Sequence, residues 1–116
     1  MYRKPRQSHW GSAAVGEPGG GPAGGHFGPH NLHENRTATF QSSEIIFATY
    51  QNAGLRVFDI RDPFRPAEIA AYVPSPLEST TAPSRPIQST DVFVDRRGLV
   101  YVTDVSHGLT ILEFEH

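Results

Sequence analysis

The chain has 116 residues, no cysteine and a formal net charge of −2. That length suits one ordinary domain, and the composition excludes disulfides, thiolate metal sites and a cysteine nucleophile. The balance of charge gives no global positive field to draw nucleic acid, and no run approaches the roughly 20 apolar residues of a membrane span.

The N-terminal stretch carries Arg3, Lys4 and Arg6, but no apolar segment of the signal-peptide kind follows them. The compartment is therefore left open. Residues 1–25 end in Gly16-Glu17-Pro18-Gly19-Gly20-Gly21-Pro22-Ala23-Gly24-Gly25. A Gly/Pro-rich run of this kind buries too little apolar surface to offset its chain entropy, so a disordered head is expected over 1–25.

A first blade-like unit is expected over 26–73. It opens on His26-Phe27-Gly28-Pro29-His30-Asn31-Leu32-His33-Glu34-Asn35-Arg36, with a strand predicted from His30 to His33. Ile45 to Tyr50 is β-branched and aromatic and predicts a second strand. Gln51-Asn52-Ala53-Gly54 is turn chemistry, with Asn and Gly able to take positive φ. Leu55 to Ile60 alternates, with Leu55, Val57 and Asp59 on one face and Arg56, Phe58 and Ile60 on the other. The two runs predict a hairpin. Asp62-Pro63 and Pro66 end it, because proline donates no ladder hydrogen bond. Ala67 to Val73 predicts a fourth strand.

Residues 74–86 hold Pro74, Pro76, Pro83 and Pro86 amid Ser and Thr, and predict a surface loop. A second, incomplete unit is expected over 87–116. Its strands are predicted at Thr90 to Val94, Leu99 to Thr103 and Leu109 to Phe114, with a tight turn at Asp95-Arg96-Arg97-Gly98. No window sustains the 3.6-residue apolar spacing of a helix.

The second half of the chain says the same thing twice. Ile46-Phe47-Ala48-Thr49 to Ile60 aligns with Val100-Tyr101-Val102-Thr103 to Phe114 at an offset of 54 without a gap. Thr49 meets Thr103, Gly54 meets Gly108, Leu55 meets Leu109 and Asp59 meets Glu113. Short β-rich runs recurring at such a period are the mark of a propeller or another repeat array. The expected fold class is all-β, with antiparallel propeller-like blades that make up a partial propeller.

Gly54-Leu55-Arg56-Val57-Phe58-Asp59-Ile60-Arg61-Asp62-Pro63-Phe64-Arg65-Pro66 resembles the repeat of the LVIVD family of bacterial β-propellers. The family's pattern is roughly Gly-Leu-x-Ile-x-Asp-(Ile/Val)-Ser-Asp-Pro-x-x-Pro. The glycine, the apolar alternation, Asp59, Asp62-Pro63 and Pro66 match, and Arg61 stands where the family has Ser. Gly108 to Phe114 fits the first half of the motif. The resemblance covers about 28–116. It implies the last two blades of a larger propeller, with open faces that expect missing blades or other copies of the chain. It implies no single chemistry, and fold alone does not fix one. The first functional expectation is a binding or scaffold module for a protein or small ligand, with no cofactor.

The alternative is part of a metal-dependent propeller enzyme, of oxidase or hydrolase type. Some propellers resembling this one hold a metal through inner-strand histidines, as in the methanethiol-oxidase type. His26, His30, His33 and Glu34 are the candidate ligands, since imidazole and carboxylate suit Zn, Cu, Fe or Mn. On a strand His30 and His33 point to opposite faces, so they can share an ion only in a loop. The bland reading makes them loop caps and cross-strand hydrogen-bonders. Tyr50 and Gln51 at a hairpin end, and Asp91, set against Asn31, are the candidate ligand-binding residues, each weighed against a turn-forming role. Asp104, Ser106 and His107 carry triad residue types on one hairpin turn, a spacing that prevents the base-to-nucleophile geometry a triad needs.

Overall fold

The computed structural model describes residues 26–75 and 86–115. The expected head over 1–25 and most of the expected loop over 74–86 lie outside the described residues. The described chain contains no helix. It forms seven strands: β1 (Phe27–Leu32), β2 (Ile45–Gln51), β3 (Leu55–Asp59), β4 (Ala67–Tyr72), β5 (Ser89–Val94), β6 (Leu99–Asp104) and β7 (Gly108–Glu113).

All pairings are antiparallel. One unit runs β1-β2-β3-β4 and the other β5-β6-β7. The two meet through a single registered pair, Gln51 with Ser89, which makes one curled seven-stranded sheet. The fold is all-β and propeller-like, with two blade-like units. β1 starts three residues ahead of its predicted position. A register shift between Phe27 and Asn31 makes room there for Pro29, which has no N–H to give.

The β2–β3 and β6–β7 hairpins share one register. Phe47 pairs with Val57 and Tyr101 with Ile111. Ile46 pairs with Phe58 and Val100 with Leu112. Thr49 pairs with Leu55 and Thr103 with Leu109. Both hairpins close on a glycine with φ of 72°.

Because a strand alternates its faces, each unit has two distinct apolar faces. Phe47, Leu55, Val57 and Ala70 of the first unit pack against Val92, Val94, Val100, Val102 and Leu112 of the second. Phe47 sits at the centre, edge-on to Phe40 at 5.6 Å and to Phe114 at 5.3 Å between ring centroids. Burying a Val, Leu or Phe side chain stabilises by about 1.5–3 kcal/mol each. Backbone pairing between the units is limited to Gln51–Ser89 and the isolated Thr39–Asp95 bridge, so this apolar contact is the main hold on the seam.

Arg56 points to the other face of β3 from Leu55 and is nonetheless buried, at 4% exposure. Its Nε donates to the Ala53 carbonyl at 2.8 Å and its guanidinium meets Glu68 at 3.0 Å. Burial pushes the Glu68 carboxyl above the usual range, and Arg56 offsets that only in part. Asp59 is the nearest carboxylate along the strand. Three residues apart on one strand, the two face opposite ways, and Asp59 pairs with Arg61 at 2.6 Å.

Gly54 abuts the end of β4. A Cβ there would collide with the Tyr72 carbonyl oxygen, while Gly98, at φ 89°, has open space around it. Gly98→Ala is therefore expected to cost about 1–2 kcal/mol for its left-handed backbone. Gly54→Ala should cost a further 1–3 kcal/mol or so for overpacking. Urea unfolding of the two variants checks this, and equal losses would refute the close approach at Tyr72.

Candidate functional site

β1 and β5, the first strands of the two units, lie side by side, and the chemistry-bearing residues gather around them. Thr49 Oγ1 on β2 donates across the seam to the Thr90 carbonyl at 3.0 Å. His30 Nδ1 reaches the same carbonyl at 2.7 Å. A carbonyl only accepts, so Nδ1 of His30 carries a proton in this arrangement.

His33 is a pin between the units. Its Nδ1 accepts the Val94 amide at 3.0 Å, and its Nε2 donates to the Phe40 carbonyl at 2.9 Å. A backbone N–H on one side and a carbonyl on the other fix the neutral ring with its proton on Nε2. The ring also stands edge-on to Phe93 at 5.8 Å and Phe47 at 6.4 Å. Glu34 forms an exposed ion pair with Arg36. His26 contributes its backbone carbonyl, which accepts the Asn52 amide at 3.0 Å. Among the described residues no three His, Asp or Glu side chains converge as a metal site, so His26, His30, His33 and Glu34 are not brought together.

A cleft of about 230 Å³ opens beside these residues, lined by Asn31, Leu32, His33, Glu34, Arg36, Asp91, Val92 and Phe93. Asp91 is exposed there, with Oδ1 accepting its neighbour's amide, that of Val92, at 2.8 Å. Asn31 and Asp91, set against each other in the sequence, thus line one cleft.

Tyr50 lies elsewhere. It lines a separate apolar groove of about 240 Å³ with Pro29, Leu32, Ile46, Ala48, Phe58, Ile60 and Pro66, and its ring sits 6.1 Å from that of Phe58. Gln51 takes φ of 49° at the end of β2 and forms the registered pair with Ser89. Tyr50 and Gln51 do not join Asp91 in one site.

Sequence reasoning missed a buried polar cluster at the β6–β7 turn. Asp104 accepts hydrogen bonds from the amides of Gln88, Ser106 and His107, from Ser89 Oγ at 3.1 Å and from His107 Nδ1 at 3.1 Å. His107 Nε2 reaches the Ser75 carbonyl at 2.6 Å. Both ring nitrogens therefore face acceptors. Ser106 Oγ donates to the Pro86 carbonyl at 2.7 Å.

The residue types of a triad are present, but the geometry is not. Each serine hydroxyl bonds to a carboxylate or a carbonyl, and the far nitrogen of the imidazole is held by a main-chain oxygen rather than a nucleophile. The cluster joins the β6–β7 turn to both flanks of the 76–85 segment. The signal for it was Asp104 two residues ahead of Ser106, an Asx-turn spacing.

No family model, no curated protein and no solved structure matches the chain. The reading of function rests on the residues and their arrangement.

Two predictions follow from these hydrogen bonds. Burial alone would raise the Asp104 carboxyl, but the Ser106 amide, the His107 ring and the Gln88 and His107 amides outweigh it and hold it below its ordinary value. A carboxyl depressed in the folded state contributes stability above its unfolded pKa, and that stability is lost as pH falls through the folded value. Asp104→Asn should lose about 1–3 kcal/mol at neutral pH and flatten the acid limb of the stability curve, as thermal melts from neutral to strongly acid pH will show. An unchanged acid limb would contradict the charged role.

His33→Ala removes both partners of the pin and leaves the Val94 amide and the Phe40 carbonyl without it. A loss of roughly 2 kcal/mol or more is expected, against under about 1 kcal/mol for Glu34→Ala, whose ion pair is exposed. Equilibrium denaturation of both variants measures the difference.

Proposed function

We propose that the chain is a segment of an LVIVD-like β-propeller that works as a binding or scaffold module. Its ligand site is the cleft between the first strands of the two units. The observation that carries this reading is the lining of that cleft. It combines the polar Asn31, Glu34, Arg36 and Asp91 with the apolar Leu32, Val92 and Phe93, a mix suited to holding a small polar ligand or a protein loop. Glu34 is neutralised by Arg36, and Asp91 forms no ion pair among the described residues. Asp91 is thus the carboxylate offered to an incoming cationic group.

The metal-dependent reading, with His26, His30, His33 and Glu34 as ligands, has weaker support. Both His33 nitrogens are committed to the backbone and Nδ1 of His30 to Thr90. Elemental analysis of the purified chain and of its His30→Ala variant separates the two readings. Stoichiometric zinc, copper, iron or manganese that is lost in the variant favours the enzyme.

For the binding reading, the probe is arginine methyl ester, titrated against the labelled chain and followed by amide NMR shifts. Shifts are expected to concentrate at Asn31, Glu34, Asp91 and Val92. Asp91→Ala should weaken binding by about tenfold, the equivalent of roughly 1.4 kcal/mol for a charge-assisted contact. Shifts spread evenly over the surface, or unaltered by Asp91→Ala, would overturn the assignment.

A further inference from the structure

Each unit has two faces, and the seam uses one from each. The first unit buries the face of Phe47, Thr49, Leu55 and Val57, each at 1% exposure or less. At the shared offset of 54, the same positions in the second unit are Tyr101, Thr103, Leu109 and Ile111. There Tyr101 is half-buried and the rest lie open: Thr103 is exposed, Leu109 is 59% exposed and Ile111 52%, and their neighbour Phe93 46%.

The reverse holds for the opposite face. The second unit buries Val100, Val102 and Leu112. Their counterparts in the first unit are Ile46, Ala48 and Phe58, and these line the apolar groove with Tyr50 and Ile60. The seam inside the chain is thus one kind of face against the other. The second unit keeps one face largely open, and the first keeps a groove in which half-buried Ile46, Phe58 and Ile60 surround the buried Ala48.

From this we infer that a second copy of the chain docks head to tail, its Tyr101–Leu109–Ile111 face covering the Ile46–Ala48–Phe58 groove. The contact repeats the geometry of the internal seam. The occupant is named by the register: the open face of the second unit is the positional equal of the face that the first unit already packs away. One polar detail agrees. Thr49 Oγ1 donates across the seam to the Thr90 carbonyl, and its counterpart Thr103 is exposed, with its hydroxyl on that of Thr90 in the same unit at 3.1 Å. The contact is heterologous, so it closes into a ring or runs on as a filament. Propeller rings hold about four to eight blades, which corresponds to about two to four copies.

This inference rests on the propeller-like reading of the two units but not on the ligand cleft. Sedimentation velocity on the full chain over a concentration series tests it. The wild type is expected to associate into one discrete species. Ile111→Glu, on the open face, and Phe58→Glu, in the groove, should each sediment as a monomer. Mixed in equal amounts they should form a 1:1 dimer, because each retains the face the other has lost. Rescue in the mixture also shows that both variants fold. Should Phe58→Glu lose its far-UV circular dichroism, Ile60→Glu in the same groove replaces it.

Wild type that stays monomeric at every concentration would overturn the inference, and so would association that survives in either single variant. A like-with-like contact is betrayed by one variant dissociating and the other not, which also overturns it. Asp91 and Phe93 of the cleft pair in register with Thr103 and Tyr101 of the open face, so arginine methyl ester is titrated against the Phe58→Glu monomer, which leaves that face uncovered and unchanged, and failure of one proposal leaves the other measurable.

Discussion

The apolar seam between the two units is what the remaining structure depends on. Among the described residues the named strands of the two units meet through one registered pair, Gln51 with Ser89, beside an isolated bridge of Thr39 with Asp95. A single backbone pairing contributes about 0.5–1.5 kcal/mol net. Eight of the nine buried side chains of the cluster are Val, Leu or Phe, and each contributes about 1.5–3 kcal/mol. The first strands of the two units are side by side because Phe47, Leu55 and Val57 need the valines of β5 and β6 as a cover. The cleft at Asp91 and the pin at His33 are consequences of that packing.

Polar groups then set the register that apolar contact leaves loose. Hydrophobic burial is non-directional, so two flat faces can slide. His33 stops the slide at one end by holding the Val94 amide and the Phe40 carbonyl together. Thr49 does the same at mid-seam through the Thr90 carbonyl. Within the second unit, Asp104 gathers five donors and ties the β6–β7 turn to Gln88 and Ser89. A residue so committed is a poor metal ligand or base, because each new bond has to displace an existing one.

The strands and turns were legible in the sequence because their signals are local. β-branched alternation marked β2, β3, β6 and β7, and Gly54, Gly98 and Gly108 all take the positive φ that their turns require. What sequence could not supply was pairing between distant residues. The buried Arg56 takes its carboxylate from Glu68, twelve residues on, across a bulge between Val57 and Phe58. The histidines looked like a ligand cluster because they are close in sequence. The fold sends His33 to Val94 and His30 to Thr90, each about sixty residues along the chain. Asp91 was legible only as an alignment with Asn31, and its place in the same cleft follows from β1 lying against β5.

The two hairpins differ in one respect that bears on how such units are built. Gly54 is locked beneath Tyr72 and Val73 at the end of β4, whereas Gly108, with the same φ, has nothing near its missing Cβ. The glycine at this position meets two demands, a left-handed turn and the close passage of a fourth strand. In the first unit both are in force. In the second only the turn is, since β7 is the last strand of its unit among the described residues. By register the outer edge of β7 matches the edge of β3 that carries β4, and among the described residues no strand pairs with it. An edge in that state pairs readily with an added strand. Any strand it accepts has to pass Gly108 as closely as β4 passes Gly54, so the space left at Gly108 is part of the edge's fit.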